Sequence, residues 1–227
     1  MSIHDSSMGS LDQPRLEPEI APVSPRPTDL PSDLVTVDEF YDLIPDGQKA
    51  DLLDGVIHMA SPDSLRANDI TAFLLYLLRG FNTARRLGGK ALVNRYAFIL
   101  SQLRAPEPDV AYVRAERLHL LQHGGMRGGP DAAIEVVSRE SRSRDYGEKR
   151  QIYQDAGVHE YWIVDPLQGR VEFLRLRNGR YELVPLENNR IFRSEAVPGF
   201  WLNVDWLLAD PLPNDYDCLQ EILSQVG

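Results

Sequence analysis

Two short apolar segments, separated by a charged stretch, constrain the fold more than any other feature of the sequence. Residues 131–137 (DAAIEVV) and 160–165 (EYWIVD) are almost entirely apolar, which is typical of strands that are covered on both faces of a sheet. Between them, residues 145–156 are predicted to form a helix that ends at Gly157, because glycine readily adopts the left-handed conformation found just beyond a helix. This pattern favours a sheet packed against helices.

The remaining segments predict further helices and strands around these two. Thr36 and Glu39 have the spacing of a capping box, which predicts a short helix to about residue 44. Apolar residues recur at helical spacing between residues 64 and 87 and predict a longer helix. Strands are predicted at 49–53, 56–60, 90–100, 108–114, 170–177, 180–187 and 190–195, with a loop at 122–130 and a last helix near 215–225. The fold class is therefore α/β (α+β): a mixed central sheet flanked by helices, with β-hairpins.

Length and composition limit the organisation of the chain and its location. The 227 residues suffice for one well-packed domain with extensions. We predict a disordered, Pro-rich acidic tail over residues 1–34, a folded domain over 35–210 and a C-terminal helical extension over 211–227. No apolar run approaches the roughly 20 residues that span a membrane, the N-terminal residues do not resemble a signal peptide, and a single cysteine, Cys218, excludes an intrachain disulfide. A cytoplasmic protein without a membrane partner is expected.

Charge is unevenly distributed along the sequence. The formal net charge of −10 by itself argues against a nucleic-acid partner. However, residues 55–204 carry 17 acids and 21 bases, whereas both ends of the chain are acidic. A mildly basic body is compatible with binding phosphate groups but does not demonstrate it.

Two carboxylates stand out because they lie on segments that are predicted to be buried strands. Asp109 and Glu135 are separated by 26 residues, which is enough to place them on neighbouring strands at one end of the sheet. A buried carboxylate is costly unless it is paired, hydrogen-bonded or bound to a metal. Two hard oxygen ligands plus waters are the usual way to hold Mg²⁺ (or Mn²⁺), and such a metal can activate water and neutralise charge on a phosphodiester. The alternative is that each carboxylate caps a strand or pairs with an arginine.

Lys149 follows on the helix after the strand of Glu135, four residues beyond Asp145. As a surface ion pair at this spacing, Asp145 and Lys149 would contribute only a few tenths of a kcal/mol. In a functional role, Lys149 would lean over the metal site and orient the attacking water or stabilise the charge that develops on phosphorus. Because 21 of the 24 basic residues are arginines, a lysine at this position favours the functional interpretation.

The loop between the two apolar strands is rich in arginine. Arg139, Arg142 and Arg144 flank the predicted site and could contact phosphates; a solvated loop is the alternative. The glycine-rich residues 124–129 are not a nucleotide-binding phosphate loop, because no Lys-Ser/Thr pair follows them. No small-molecule cofactor is therefore expected.

The order of these residues resembles the Uma2 family of restriction-endonuclease-like proteins (domain of unknown function 820), which is common in bacteria. The resemblance covers about residues 36–187 and is carried by Pro108-Asp109, Glu135-Val-Val-Ser138, Asp145-Tyr-Gly-Glu-Lys149, Tyr153, Gly157-Val158 and Glu160-Tyr-Trp-Ile-Val-Asp-Pro166. It implies the restriction-endonuclease-like PD-(D/E)xK fold and a Mg²⁺-dependent phosphodiesterase site. The usual motif has its lysine at the position of Val137, whereas the family pattern places it on the following helix, at Lys149.

The resemblance also implies an acidic residue in the early hairpin, at Asp51. This chain departs from the family pattern at two places. The family usually has Glu where this chain has Asp51, and often has a histidine near the start of the long helix, where this chain reads Arg66-Ala67-Asn68.

The leading hypothesis is a hydrolase, a Mg²⁺-dependent endodeoxyribonuclease. In this hypothesis Asp109 and Glu135 hold the metal, with the Val136 carbonyl as a further ligand, while Lys149 positions or activates the water and Asp51 assists. The alternative is a nuclease-fold protein with weak or no catalysis that binds nucleic acid or protein. A homodimer is compatible with either hypothesis, because sheet edges in such folds often pair.

Overall fold

The computed structural model describes residues 30–45, 48–94 and 96–224. The helices are α1 (Val37–Leu43), α2 (Leu65–Ala84), α3 (Lys149–Asp155), α4 (Val204–Leu208) and α5 (Asp215–Ser224), with a 3-10 segment at Ala115–Leu120 and a π-helical turn at Arg144–Glu148. The strands are β1 (Ala50–Leu53), β2 (Val56–Met59), β3 (Lys90–Val93), β4 (Ala97–Ile99), β5 (Val110–Val113), β6 (Gly125–Arg127), β7 (Ala132–Val136), β8 (Glu160–Asp165), β9 (Arg170–Arg177), β10 (Arg180–Leu183), β11 (Ile191–Arg193) and β12 (Trp201–Asn203). Most of the predicted tail, residues 1–29, lies outside the described residues.

A six-stranded mixed sheet forms the centre of the fold, in the order β10-β9-β8-β7-β5-β3. The two apolar segments on either side of the charged stretch are β7 and β8, and they are adjacent and parallel. The other neighbours in this sheet are antiparallel. A parallel pair requires a crossover connection, and the π-helical turn and α3 provide it. The predicted fold class, a mixed sheet with flanking helices and hairpins, is confirmed.

The two faces of the sheet are covered by different helices. Ile134 and Val136 of β7 belong to a large core that includes the buried face of α2. Ala133 of the same strand belongs to a second core, to which α3 contributes Tyr153. Because successive side chains of a strand point to opposite faces, Glu135 lies on the α3 face of the sheet. This placement decides which helix can reach the carboxylate.

The N-terminal part of the described chain forms a helix and a hairpin beside the sheet. The Thr36 hydroxyl accepts from the Glu39 backbone N–H and the Glu39 carboxylate accepts from the Thr36 N–H, so the predicted capping box is present. Asp54 and Gly55 both have positive φ, as a two-residue hairpin turn requires. The hairpin joins β1 to β2, and β1 is buried along its whole length.

Two sequence predictions about strands were wrong in detail. The single strand predicted over 90–100 is two strands, β3 and β4, in different sheets. Asn94 follows β3 with a φ of 32°, and a left-handed residue ends an extended segment. The predicted loop at 122–130 contains β6, which pairs in parallel with β4. β6 has only three residues and begins with Gly125, so its sequence shows no alternating apolar pattern.

The C-terminal helix packs on the same core as the rest of the chain. Cys218, Leu219 and Ile222 of α5 are buried in the α2 cluster. A side chain at Gly80 of α2 would come within 2.4 Å of the Leu219 side chain, so this glycine allows the two helices to approach closely. None of the helices in the described ranges is long and apolar enough to cross a membrane.

Candidate active site

The four residues predicted to be catalytic lie around one polar cleft. Asp51 is on β1, Asp109 directly precedes β5, Glu135 is on β7 and Lys149 is the first residue of α3. All four side chains line the same cleft and all four residues are buried. Residues from the β1–β2 hairpin, from two neighbouring strand ends of the central sheet and from α3 therefore converge at this cleft.

Asp109 and Glu135 face each other across neighbouring strands. The last paired residues of β5 and β7 are Val110 and Ile134, so one further step places Asp109 opposite Glu135. Directly opposite residues of an antiparallel pair point to the same face of the sheet. Because β5 begins only at Val110, the N–H of Val136 has no strand partner on this side and donates to Asp109 Oδ2 at 2.7 Å. The carboxylate is thereby fixed at the end of the strand.

Lys149 connects two of the carboxylates. Its Nζ lies 3.0 Å from Glu135 Oε1 and 2.9 Å from Asp51 Oδ2, whereas the Asp145 carboxylate is 4.0 Å away. The side chain of Lys149 is only 3% exposed, so the surface-pair interpretation of Asp145 and Lys149 does not describe this lysine. The π-helical turn ends immediately before Lys149, and such turns are frequent at functional sites.

The protonation of this buried pair follows from its surroundings. Burial alone would lower the pKa of Lys149, but the negative charges of Asp51, Glu135 and Asp145 outweigh burial and raise its pKa well above the usual value. Burial raises the pKa of Glu135, and the charge of Lys149 opposes that rise. The surrounding carboxylates therefore favour the ammonium form of Lys149.

Two further residues complete the environment of the carboxylates. The Tyr153 hydroxyl donates to Glu135 Oε1 at 3.1 Å; Tyr153 is one helical turn after Lys149, on the same face of α3. The ammonium group of Lys49 contacts Asp109 Oδ1 and lies 3.2 Å from Asn94 Oδ1. Sequence reasoning did not assign a role to either side chain. For Lys49 the signal was its position two residues before Asp51, since alternate residues of an extended segment share a face.

Asp51 reaches Lys149 although its side chain is one methylene shorter than the glutamate of the family pattern. Its Oδ1 accepts from the Glu107 backbone N–H at 2.7 Å, which orients the other oxygen towards Lys149. Near the start of α2, where the family often has a histidine and this chain reads Arg66-Ala67-Asn68, Arg66 donates to the carbonyl oxygens of Leu207 and Ala209. Arg66 thus connects the start of α2 to the C-terminal end of α4.

The three arginines of the loop do not share one location. Arg144 lines the cleft together with the three carboxylates and Lys149, and its buried Nε has no hydrogen-bond partner among the described residues. Arg139 and Arg142 instead line a neighbouring groove with Tyr146 and Arg170.

The donor atoms in the cleft suit a hard divalent cation better than a soft one. Asp109 and Glu135 both line this cleft and carry carboxylate oxygens, and waters usually complete the shell of Mg²⁺. Within the described residues, no group of three or more His, Cys, Asp or Glu side chains is arranged to hold a metal ion. The geometry thus fits a site with two carboxylates and does not fit a closed cage of protein ligands.

Comparison with known protein families assigns the chain to a restriction-endonuclease-like class. The Uma2 family model, described as "Putative restriction endonuclease", matches residues 37–205, and the chain belongs to this family. No curated protein matches the sequence.

A crystal structure of a "putative nuclease belonging to DUF820" from Anabaena variabilis is similar to this structure. The TM-score is 0.65 at 16% sequence identity, and the match covers 77% of this chain and 97% of that chain. At this identity the similarity shows the fold alone.

Proposed function

We propose that the protein is a Mg²⁺- or Mn²⁺-dependent endonuclease that hydrolyses phosphodiester bonds of DNA. The observation that carries the proposal is that Asp109, one residue before the paired strand β5, and Glu135 of the neighbouring strand β7 line one cleft, with the ammonium group of Lys149 3.0 Å from Glu135. Membership of the Uma2 family supports a hydrolase that acts on phosphodiesters. The convergence of Asp109, Glu135 and Lys149 on one cleft supports the proposal independently of the family.

Each residue of the cleft has a distinct role in this proposal. Asp109 and Glu135 would hold the metal, with the Val136 carbonyl as a third candidate ligand. The bound metal would lower the pKa of water and offset charge on the phosphate. Lys149 is charged and buried, so it would donate to the attacking water or to a phosphate oxygen rather than accept a proton. Asp51 is a positioning residue, since it holds Lys149 at 2.9 Å.

Removal of the metal gives the first test. Purified full-length protein is incubated with supercoiled plasmid, and separately with single-stranded RNA, in Mg²⁺, in Mn²⁺ and in EDTA. We expect nicking of the plasmid in either metal and none in EDTA, and we expect the Glu135→Gln protein to be inactive because an amide is a much weaker ligand than a carboxylate. Equal cleavage by Glu135→Gln or in EDTA would contradict the assignment.

The same assay separates the alternatives. Cleavage of RNA alone would change the substrate class and leave the site assignment in place. An absence of cleavage, together with retained binding of DNA by both proteins, would favour the binding-module hypothesis. If the plasmid is cut in both strands, the oligomeric state of the protein would show whether the double-strand cut requires two copies.

The loop arginines lead to an expectation for DNA binding. Arg139→Gln should weaken binding about two- to fivefold and lower the slope of log affinity against log salt by about one, because its guanidinium would neutralise one phosphate. Arg142→Gln should have a smaller effect, because the Arg142 guanidinium already lies 3.4 Å from the buried Asp165 carboxylate. Fluorescence anisotropy of a labelled duplex in EDTA, measured over a salt series, checks this. Arg180→Gln is the matched control, because Arg180 is exposed on β10 at the far edge of the sheet. Equal effects at all three positions would mean that the groove has no special role.

A further inference from the structure

Both oxygens of the Asp109 carboxylate are already occupied by groups of the chain itself. Oδ2 accepts from the Val136 N–H at 2.7 Å, and Oδ1 accepts from the ammonium group of Lys49. Lys49 is therefore the counter-ion of a nearly buried carboxylate, which would otherwise be costly to bury in its charged form. A divalent cation bound to Asp109 would meet this ammonium group at the same oxygen.

We propose that Lys49 is a built-in competitor of the metal: it neutralises Asp109 in the metal-free protein and has to leave Oδ1 when a divalent cation binds. The inference rests on the metal site of the proposed function and assigns the residue that sets its affinity. Ammonium and metal cannot share one oxygen favourably, because two positive charges a few ångströms apart repel strongly in a partly desolvated cleft.

The two lysines of the cleft differ in a way that makes Lys49 the one to move. Lys149 is 3% exposed and is held by two carboxylates at 2.9 and 3.0 Å. Lys49 is 16% exposed, and its second contact is the neutral amide of Asn94 at 3.2 Å. A lysine side chain has a flexible four-carbon stem, so Lys49 can swing towards the cleft opening without a change in the backbone.

Calorimetric titration of metal-free, full-length protein with Mn²⁺ tests the proposal. Lys49→Met should bind Mn²⁺ at least about tenfold more tightly than the wild type, since the competing charge is gone. Lys90→Met is the matched control: it makes the same change in net charge at an exposed residue of β3, and its affinity should stay within about twofold of the wild type. Circular dichroism of each protein shows whether it is folded at the temperature of the titration.

A second variant distinguishes displacement of the Lys49 ammonium group from the loss of its charge. It also keeps the proposal testable if Lys49→Met does not fold. Asn94→Gly deletes the amide that holds Lys49 but changes no charge, and glycine tolerates the φ of 32° at this position. If Lys49 must be displaced, loosening it should tighten Mn²⁺ binding by about two- to fivefold. A role of Lys49 that is only structural would leave the affinity unchanged or weaken it in both variants.

The outcomes distinguish this inference from the proposed function. Tight binding by Lys49→Met and intermediate binding by Asn94→Gly support it, including the case in which only the variants bind measurably. Equal affinities in wild type and variants would overturn the competition while leaving the metal site in place. If neither the wild type nor any variant binds Mn²⁺, both the competition and the metal dependence of the proposed function are refuted.

Discussion

Replacing Lys149 by methionine is expected to lower the rate of metal-dependent cleavage about a hundred- to a thousandfold, the usual effect of removing one donor that stabilises developing charge. Methionine has an unbranched side chain that is one atom shorter and keeps most of the volume, but it cannot donate to water or phosphate. Single-turnover cleavage of a labelled duplex in saturating Mn²⁺ measures the chemical step, because it removes the contribution of product release. The affinity for Mn²⁺ should not fall, since Lys149 is not a ligand in this proposal.

The remaining lysine outside the cleft supplies the control for this experiment. Lys90→Met should cleave at the wild-type rate. Loss of Lys149 also leaves Asp51 and Glu135 without their shared partner, so the variant is assayed well below its unfolding temperature. If Lys149→Met cleaves at more than about a tenth of the wild-type rate, the water or phosphate must be positioned by another group, and Lys149 is then a structural counter-ion.

Replacing Glu160 by alanine should cause a large loss of stability, far above that of an exposed charged residue. Glu160 is fully buried at the start of β8. Its oxygens accept from the Arg175 guanidinium at 2.9 and 3.1 Å, the Ser194 hydroxyl at 2.7 Å, the Glu195 backbone N–H at 2.7 Å and the Trp162 indole at 3.3 Å. Removing one partner of a buried charge pair typically costs about 3–5 kcal/mol. Urea unfolding measures the free-energy difference.

A matched exposed glutamate makes this measurement specific. Glu182→Ala on β10 should change the free energy of unfolding by less than about 0.5 kcal/mol, because Glu182 is exposed. Glu160 lies at the opposite end of the parallel β7–β8 pair from Glu135, so Mn²⁺ affinity should be preserved in folded Glu160→Ala protein. A loss below about 1 kcal/mol would mean that Arg175 and its neighbours find other partners in the mutant.

Two carboxylates of the family pattern, Glu160 and Asp165 at the two ends of β8, stabilise the fold and lie outside the cleft. Glu160 anchors residues 194–195 through its hydrogen bonds, and Asp165 accepts from the N–H groups of Leu167 and Gln168 in the turn that follows β8. Both carboxylates are fully buried and neither lines the cleft. Buried carboxylates alone therefore do not indicate catalysis; their convergence with Lys149 is the additional requirement.

Sequence by itself determined the elements whose signals are local. The capping box at Thr36, the hairpin turn at Asp54-Gly55, the long amphipathic helix α2 and the apolar strands β7 and β8 all depend on residues within a few positions of one another. The same reasoning singled out Asp109 and Glu135, because a charge in an apolar strand is costly wherever the strand lies. Lys149 was singled out as one of three lysines in the chain, placed on the helix that follows the strand of Glu135. Their catalytic roles remain a prediction.

Tertiary structure alone decided the features that depend on which segments become neighbours. The pairing of β4 with β6 and the contact of Lys49 with Asp109 join residues that are 28 and 60 positions apart, and no local pattern encodes such distances. The separation of Arg144 from Arg139 and Arg142 likewise follows from the turn of the backbone after β7. Local hydrogen bonding and side-chain periodicity determine where the helices and strands form. The burial of their apolar faces against one another determines which polar side chains come into contact.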